Sequence, residues 1–304
     1  MKISPILLGL SLAVTGSFVA AAQEASTSTP PQILQITREF VKAGKAGQLH
    51  DKSEAAFVSA MARAKSPTHY VALTSLSGKS RALYITPYAS FDAWEKDVAS
   101  QTKNATLSAE LERASVADGE LLDSLDQAIC HFSSELSYKP KSDLSQARYL
   151  EVSVFHVKPG HGEEFNELVK MVIAGHEKAG TSAHWATFHI MYGREGGSYL
   201  VLSSDHSMSE IDNGFADDKK FGEAMGKDGL KKLDQLFASS VDTSDNELFA
   251  VNPRQSYVDE SWTKADPDFW KPKSTDMASA KQAAKQAAAA AAKTASATPK
   301  PASR

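Results

Sequence analysis

Hydrophobic positions follow two periods along this chain. From Tyr149 to Val157, Leu150, Val152 and Val154 fall on one side and Glu151 and Ser153 on the other, the period of two that marks a strand. Beyond it the spacing lengthens. Phe165, Leu168, Val169, Val172, Ile173 and His176 recur at three- and four-residue intervals, which is one apolar stripe on a helix. Gly180 then supplies a stop. Earlier in the chain, Leu49, Phe57, Ala60, Met61 and Ala64 predict a helix face of the same kind. The strand carries apolar residues on both faces. The Leu150, Val152 and Val154 side is expected to take the helices. The side with Phe155 and Val157 then needs a second sheet against it.

The pattern occurs twice. Ile33-Leu-Gln-Ile-Thr-Arg-Glu-Phe-Val-Lys-Ala-Gly44 and Tyr149-Leu-Glu-Val-Ser-Val-Phe-His-Val-Lys-Pro-Gly160 both run from an alternating strand into Val-Lys-x-Gly, 116 residues apart. The next strands open with His69-Tyr70 and His184-Trp185, 115 residues apart. Third strands follow at Leu83-Tyr84-Ile85 and Tyr199-Leu200-Val201. Each copy closes on Glu-Leu and a later Pro-basic pair, Glu135-Leu136 with Pro140-Lys141 and Glu247-Leu248 with Pro253-Arg254. Matches in the same order at a near-constant offset mark an internal duplication. Each copy reads β-α-β-β-α-β, one over residues 32–142 and the other over 148–258.

That element order, with Val157-Lys-Pro-Gly160 leading into a helix at Phe165, resembles the dimeric α+β barrel superfamily of ferredoxin-like domains. The superfamily includes antibiotic-biosynthesis monooxygenases, haem-degrading monooxygenases and NIPSNAP-type domains. The resemblance implies an α+β fold of two tandem ferredoxin-like units, closed into an intramolecular pseudo-dimeric barrel in a monomer. The haem-degrading members use an Asn on the first strand together with a Trp and a His. Neither first strand here, Ile33–Val41 or Tyr149–Val157, contains an Asn.

The ends of the chain change the picture. Lys2, an apolar stretch from Ile6 to Val14 and the small residues Ala20-Ala21-Ala22 form the pattern of a secretory signal peptide over residues 1–22. The protein is therefore expected to be exported, periplasmic or secreted. Residues 23–31 read as a Ser/Thr/Pro linker, and 271–304 as a low-complexity Ala/Lys/Pro tail. That tail is basic while the whole chain carries a net charge of −4, so the body is more acidic than the total. An acidic body argues against nucleic acid as a partner, whereas the tail is a candidate contact for an anionic envelope surface. The single cysteine, Cys130, excludes an internal disulfide and reads as a small buried hydrophobe.

No nucleotide loop, zinc quartet or nucleophile elbow is present, and no metal is expected. Gly193-Arg-Glu-Gly-Gly197 lies between two strands and reads as a hairpin turn. Six of the nine histidines fall in the second copy. His156 shares strand parity with Leu150, His184 shares it with Ala186, and His176 extends the helix stripe, so these three are candidates to converge at one end. On the opposite parity, Trp185, Thr187, His189 and Met191 are candidates to line a cavity between the sheets. Hydrogen-bonded terminal histidines and simple interface packing are the alternatives. The leading expectation is a non-enzymatic module binding a small molecule or a protein partner. The other is a monooxygenase-like oxidoreductase, cofactor-independent or haem-dependent.

Overall fold

The computed structural model describes residues 29–141 and 143–271. The expected signal peptide (1–22), most of the linker and all of the tail beyond its first residue lie outside them. The first copy forms β1 (Ile33–Val41), α1 (Gln48–Ala64), β2 (Val71–Ser75), β3 (Arg81–Tyr88), α2 (Phe91–Lys103), α3 (Ala105–Gly119) and β4 (Leu122–Tyr138). The second forms β5 (Tyr149–Val157), α4 (Gly162–Ala179), β6 (Trp185–Tyr192), β7 (Ser198–Asp205), α5 (Met208–Ser240) and β8 (Val241–Val251). The second helical layer is interrupted in both. Asn104 ends α2 and caps α3, accepting from Leu107 N, and α5 bends at Gly226, where φ is 65°.

The eight strands close into one barrel in the order β1-β3-β2-β8-β5-β7-β6-β4, each neighbouring pair antiparallel. The two units exchange edges. β2 pairs with β8 through Leu73 and Val251, and β6 pairs with β4 through Phe188 and Phe132. Closure leaves no open edge among these strands. The fold is therefore α+β: two ferredoxin-like units joined as a pseudo-dimeric barrel within one chain.

The faces of the sheet are the reverse of the sequence expectation. Leu150, Val152, Ala186, Phe188 and Ile190 point into the barrel and form one cluster with Leu34, Leu73, Leu83 and Phe249. Phe155 and Val157 instead pack under α4 and α5 with Phe165, Leu168 and Leu236. Helix-covered and barrel-facing surfaces are both buried, so alternation separates the two faces without saying which one meets the helices.

The first helix also differs. Leu49 is 52% exposed, and α1 buries His50, Glu54, Ala60 and Met61, with the polar pair lying against Glu39 of β1. Burial, and then the charges of Glu39 and Asp118, push the Glu54 carboxyl up to about 9.

The chain continues past β8. Residues 252–257 return to the first unit, where Tyr70 N donates to Tyr257 O and Tyr257 N to Tyr70 O. Two short helices follow, α6 (Glu260–Ala265) and α7 (Pro267–Trp270). Their Trp262, Phe269 and Trp270 pack against one end of the barrel core. Arg148 pairs with Asp266 and stacks over the Phe269 ring at 3.7 Å.

Candidate functional site

Strand parity sends hydrocarbon into the barrel, but the side chains do not fill it. A cavity of about 400 Å³ opens at one end over Ile36, Leu83, Cys130, Val152 and Leu200. A second, of about 260 Å³, lies towards the other end beside Leu150, Phe188 and Trp262. Ile85 and Leu202 line both. The larger cavity has an apolar floor and a polar mouth, the usual make-up of a small-molecule site.

Arg38, Arg81 and Arg194 stand at that mouth, the first two on barrel strands. Arg38 follows Leu34 and Ile36 on the inner face of β1, and its Nε donates to Asp126 Oδ1 at 2.6 Å. Arg81, on the neighbouring β3, pairs with Glu247, while its buried Nε has no partner. Burial, and then the charge of Arg38, lower the Arg81 pKa from its ordinary value. His156 lines the same cavity, with Nδ1 3.2 Å from Ser198 Oγ. The Ser198 hydroxyl already donates to Glu195 O. His156 Nδ1 must therefore be the donor, which leaves Nε2 as an acceptor.

His156 and His184 line the barrel interior at opposite ends, and His176 is on the outside. His184 Nε2 lies 2.9 Å from Ser204 O and Nδ1 3.2 Å from Ser182 O, so both ring nitrogens face backbone carbonyls and a neutral ring donates to one of them. Ser204 pairs with Leu150, and Ser198 with His156, on the same β5–β7 ladder. Six residues of strand, about 20 Å, therefore separate the two histidines. The expected convergence of His156, His176 and His184 does not occur.

The second candidate set also moves. Trp185, Thr187 and His189 face the helix layer and do not line the barrel. Trp185 Nε1 and Thr187 Oγ1 both donate to Leu136 O. His189 packs on Tyr199 with ring centres 5.1 Å apart, and Met191 is 42% exposed. His176 does meet Trp185. Its ring lies among Trp185, Tyr138 and Phe221, and Nδ1 is 2.9 Å from Thr181 Oγ1.

A pocket of about 400 Å³ beside His176 and Trp185 carries Glu151, Asp205 and Asp217. Burial raises the pKa of both Glu151 and Asp205. These residues do not fit a haem, the alternative cofactor. Carboxylates would oppose the propionates. Of the two imidazoles that line the pocket, His176 is crowded by three aromatic rings and His184 is turned to the backbone carbonyls of Ser182 and Ser204.

Arg38 and Arg81 escaped the reading of the sequence. A signal for Arg38 was present, since a cation in step with Leu34 and Ile36 on an alternating strand is out of place unless the interior is polar there.

No family profile and no curated protein matches the sequence. Several solved structures are similar in shape. A candidate monooxygenase from Fusobacterium nucleatum subsp. nucleatum is 14% identical with a TM-score of 0.49, over 74% of this chain and 94% of that one. An anthrone oxidase-like protein is 12% identical with a TM-score of 0.47, over 76% and 95%. A mutant chlorite dismutase from Candidatus Nitrospira defluvii is 8% identical with a TM-score of 0.45, over 74% and 94%. The fold assignment rests on the strand order itself.

Proposed function

We propose that the protein binds a small, largely apolar molecule inside its barrel, with the polar end of that molecule at Arg81 and His156. One observation carries this reading: the interior of the closed barrel holds a cavity of about 400 Å³, within the about 300–1,000 Å³ range of ligand sites. The Arg81 guanidinium and the acceptor nitrogen of His156, both on residues that line the cavity, supply the directional contacts. The reading is of a binding module, and the signal-peptide pattern of residues 1–22 supports placing it outside the cytoplasm.

The test uses 1-anilinonaphthalene-8-sulfonate, an apolar ring system with an anionic head. Titration is expected to give saturable fluorescence enhancement and a raised thermal midpoint, because a ligand that binds only the folded chain stabilises it. Val154→Trp, which fills the cavity from a partly buried position, is expected to abolish both while leaving the fold intact by circular dichroism. Probe binding that is unchanged in Val154→Trp, or absent from the parent protein, overturns the proposal.

A further inference from the structure

Outside the barrel, four side chains meet between α1, α3 and the outer face of β1. Glu39, His50, Glu54 and Asp118 each offer one ligand atom, and the four atoms lie within 4.8 Å of one another. His50 Nε2 is 3.0 Å from Glu39 Oε2, 3.7 Å from Asp118 Oδ1 and 3.9 Å from Glu54 Oε1. Glu39 is 6% exposed, His50 and Glu54 are 3%, and Asp118 is 2%.

The group is incomplete as it stands. Glu54 Oε1 and Asp118 Oδ1 are buried, face the cluster and have no hydrogen-bond partner. His50 cannot serve all three carboxylates. Its Nδ1 accepts from the Gln255 amide at 3.2 Å, which leaves a single N–H at Nε2, and that lies closest to Glu39. A buried carboxylate oxygen with no partner costs several kcal/mol on the scale of about 2–7 for unpaired polar groups.

The fold does not require this arrangement, because the second unit does without it. Phe155 occupies in β5 the place of Glu39 in β1, 116 residues on. It packs against Phe165, Leu168 and Val169 of α4. Hydrocarbon thus joins helix to strand in one copy, and three acids and an imidazole do so in the other. Apolar replacement of buried ionic groups is commonly neutral or stabilising, so packing alone gives no reason for the charged version.

We propose that Glu39, His50, Glu54 and Asp118 form a binding site for one divalent transition-metal ion. Three carboxylate oxygens and one imidazole nitrogen are a donor set suited to Mn²⁺, Fe²⁺ or Zn²⁺. Ligand atoms about 2.1 Å from a central ion stand about 3.4 Å apart in a tetrahedron, so the set needs to contract by little more than about 1 Å. A dication offsets most of the buried negative charge. To ligate, His50 Nε2 must be free of its proton, which moves to Nδ1. Gln255 then holds the ring from behind by turning its amide so that Oε1 accepts from Nδ1, giving up its present bond to Asp51. A cavity of about 210 Å³, lined by Glu39, Glu54, Tyr70 and Tyr84, gives an ion a route in and leaves space beside it for a further ligand.

The test is titration of the metal-depleted full chain with Mn²⁺, followed by electron paramagnetic resonance, and with Co²⁺, followed by visible absorption. One ion per chain and a raised thermal midpoint are expected. Affinity is expected to fall at least about ten-fold in Glu54→Gln and in His50→Gln. Glu54→Gln keeps the shape and brings no new charge into the core, so it is expected to fold, and Asp118→Asn is a second variant that keeps the shape. Ion binding at full strength in all three variants overturns the proposal. So does the absence of stoichiometric Mn²⁺, Co²⁺ and Zn²⁺ binding below about 1 mM.

Discussion

Trp185 stands edge-on to the imidazole of His176, with ring centres 5.6 Å apart and planes at 67°. Together with Tyr138 and Phe221, the indole keeps water from the imidazole, and burial lowers the His176 pKa against the opposing pull of Asp218 and Asp217. In the unfolded chain an imidazole takes up its proton near pH 6.5, and in the folded chain only at lower pH. Between those two values the unfolded state holds more protons. Stability is therefore full above that window and falls as pH drops through it. Urea unfolding from about pH 7.5 to about pH 5 is expected to show this slope as the difference between the parent chain and His176→Phe, because Glu54, raised to about 9 in the folded chain, contributes a slope of the opposite sign to both. An identical slope in the variant refutes the assignment to His176.

Phe188 is 2% exposed and meets Phe132 across the β4–β6 pair at 5.5 Å. Phe188→Ala is expected to cost about 3–5 kcal/mol, read as a lower urea midpoint. Because Phe188 lines the smaller cavity, the variant is also expected to take up more apolar probe per chain. A destabilised variant with unchanged probe stoichiometry would show that the space had collapsed.

Cys130 is fully buried, and burial pushes its thiol up to about 12 against the pull of Arg38. Since the thiolate is the reactive form, an aromatic disulfide reagent at about pH 8 is expected to leave the native chain unmodified and to label it at once in urea. Rapid stoichiometric labelling of the folded protein would contradict the buried position.

Trp270 closes one end of the core at 5% exposure and donates from Nε1 to Ser145 O at 2.9 Å. Trp270→Ala is expected to cost about 3–5 kcal/mol, and Trp270→Phe, which loses chiefly the hydrogen bond, about 1 kcal/mol. Thermal unfolding of the two variants side by side separates packing from hydrogen bonding. Equal losses would mean that the indole N–H dominates.

Periodicity made the strands and helices legible, and the repeat made the pairing of units legible. The turn at Gly193 was also readable. There φ is 89°, and a Cβ would stand 2.0 Å from Gln127 O, so only glycine fits. The direction of each sheet face was not readable. Val152 and Phe155 are both apolar, and nothing local distinguishes the inside of a barrel from the underside of a helix. Trp262 and Trp270 lay beyond the second repeat, in a stretch with no counterpart to compare. His50 and Glu54 share a helix face at i and i+4. Their meeting with Glu39 and Asp118 depends on two further elements, and no local spacing shows it.

The return of residues 252–257 to the first unit has a bearing on how the chain is made. Asp51 at the head of α1 receives Asn252, Arg254 and Gln255, and Gln255 also reaches His50 across 205 positions. During synthesis the first unit thus emerges long before the residues that fasten its leading helix. It waits for the whole second unit to follow, so a nascent chain of one unit is an unfinished object. The segment after β8 ties an early part of the body to a late one, and a ribosome stalled anywhere between them leaves α1 without its clasp.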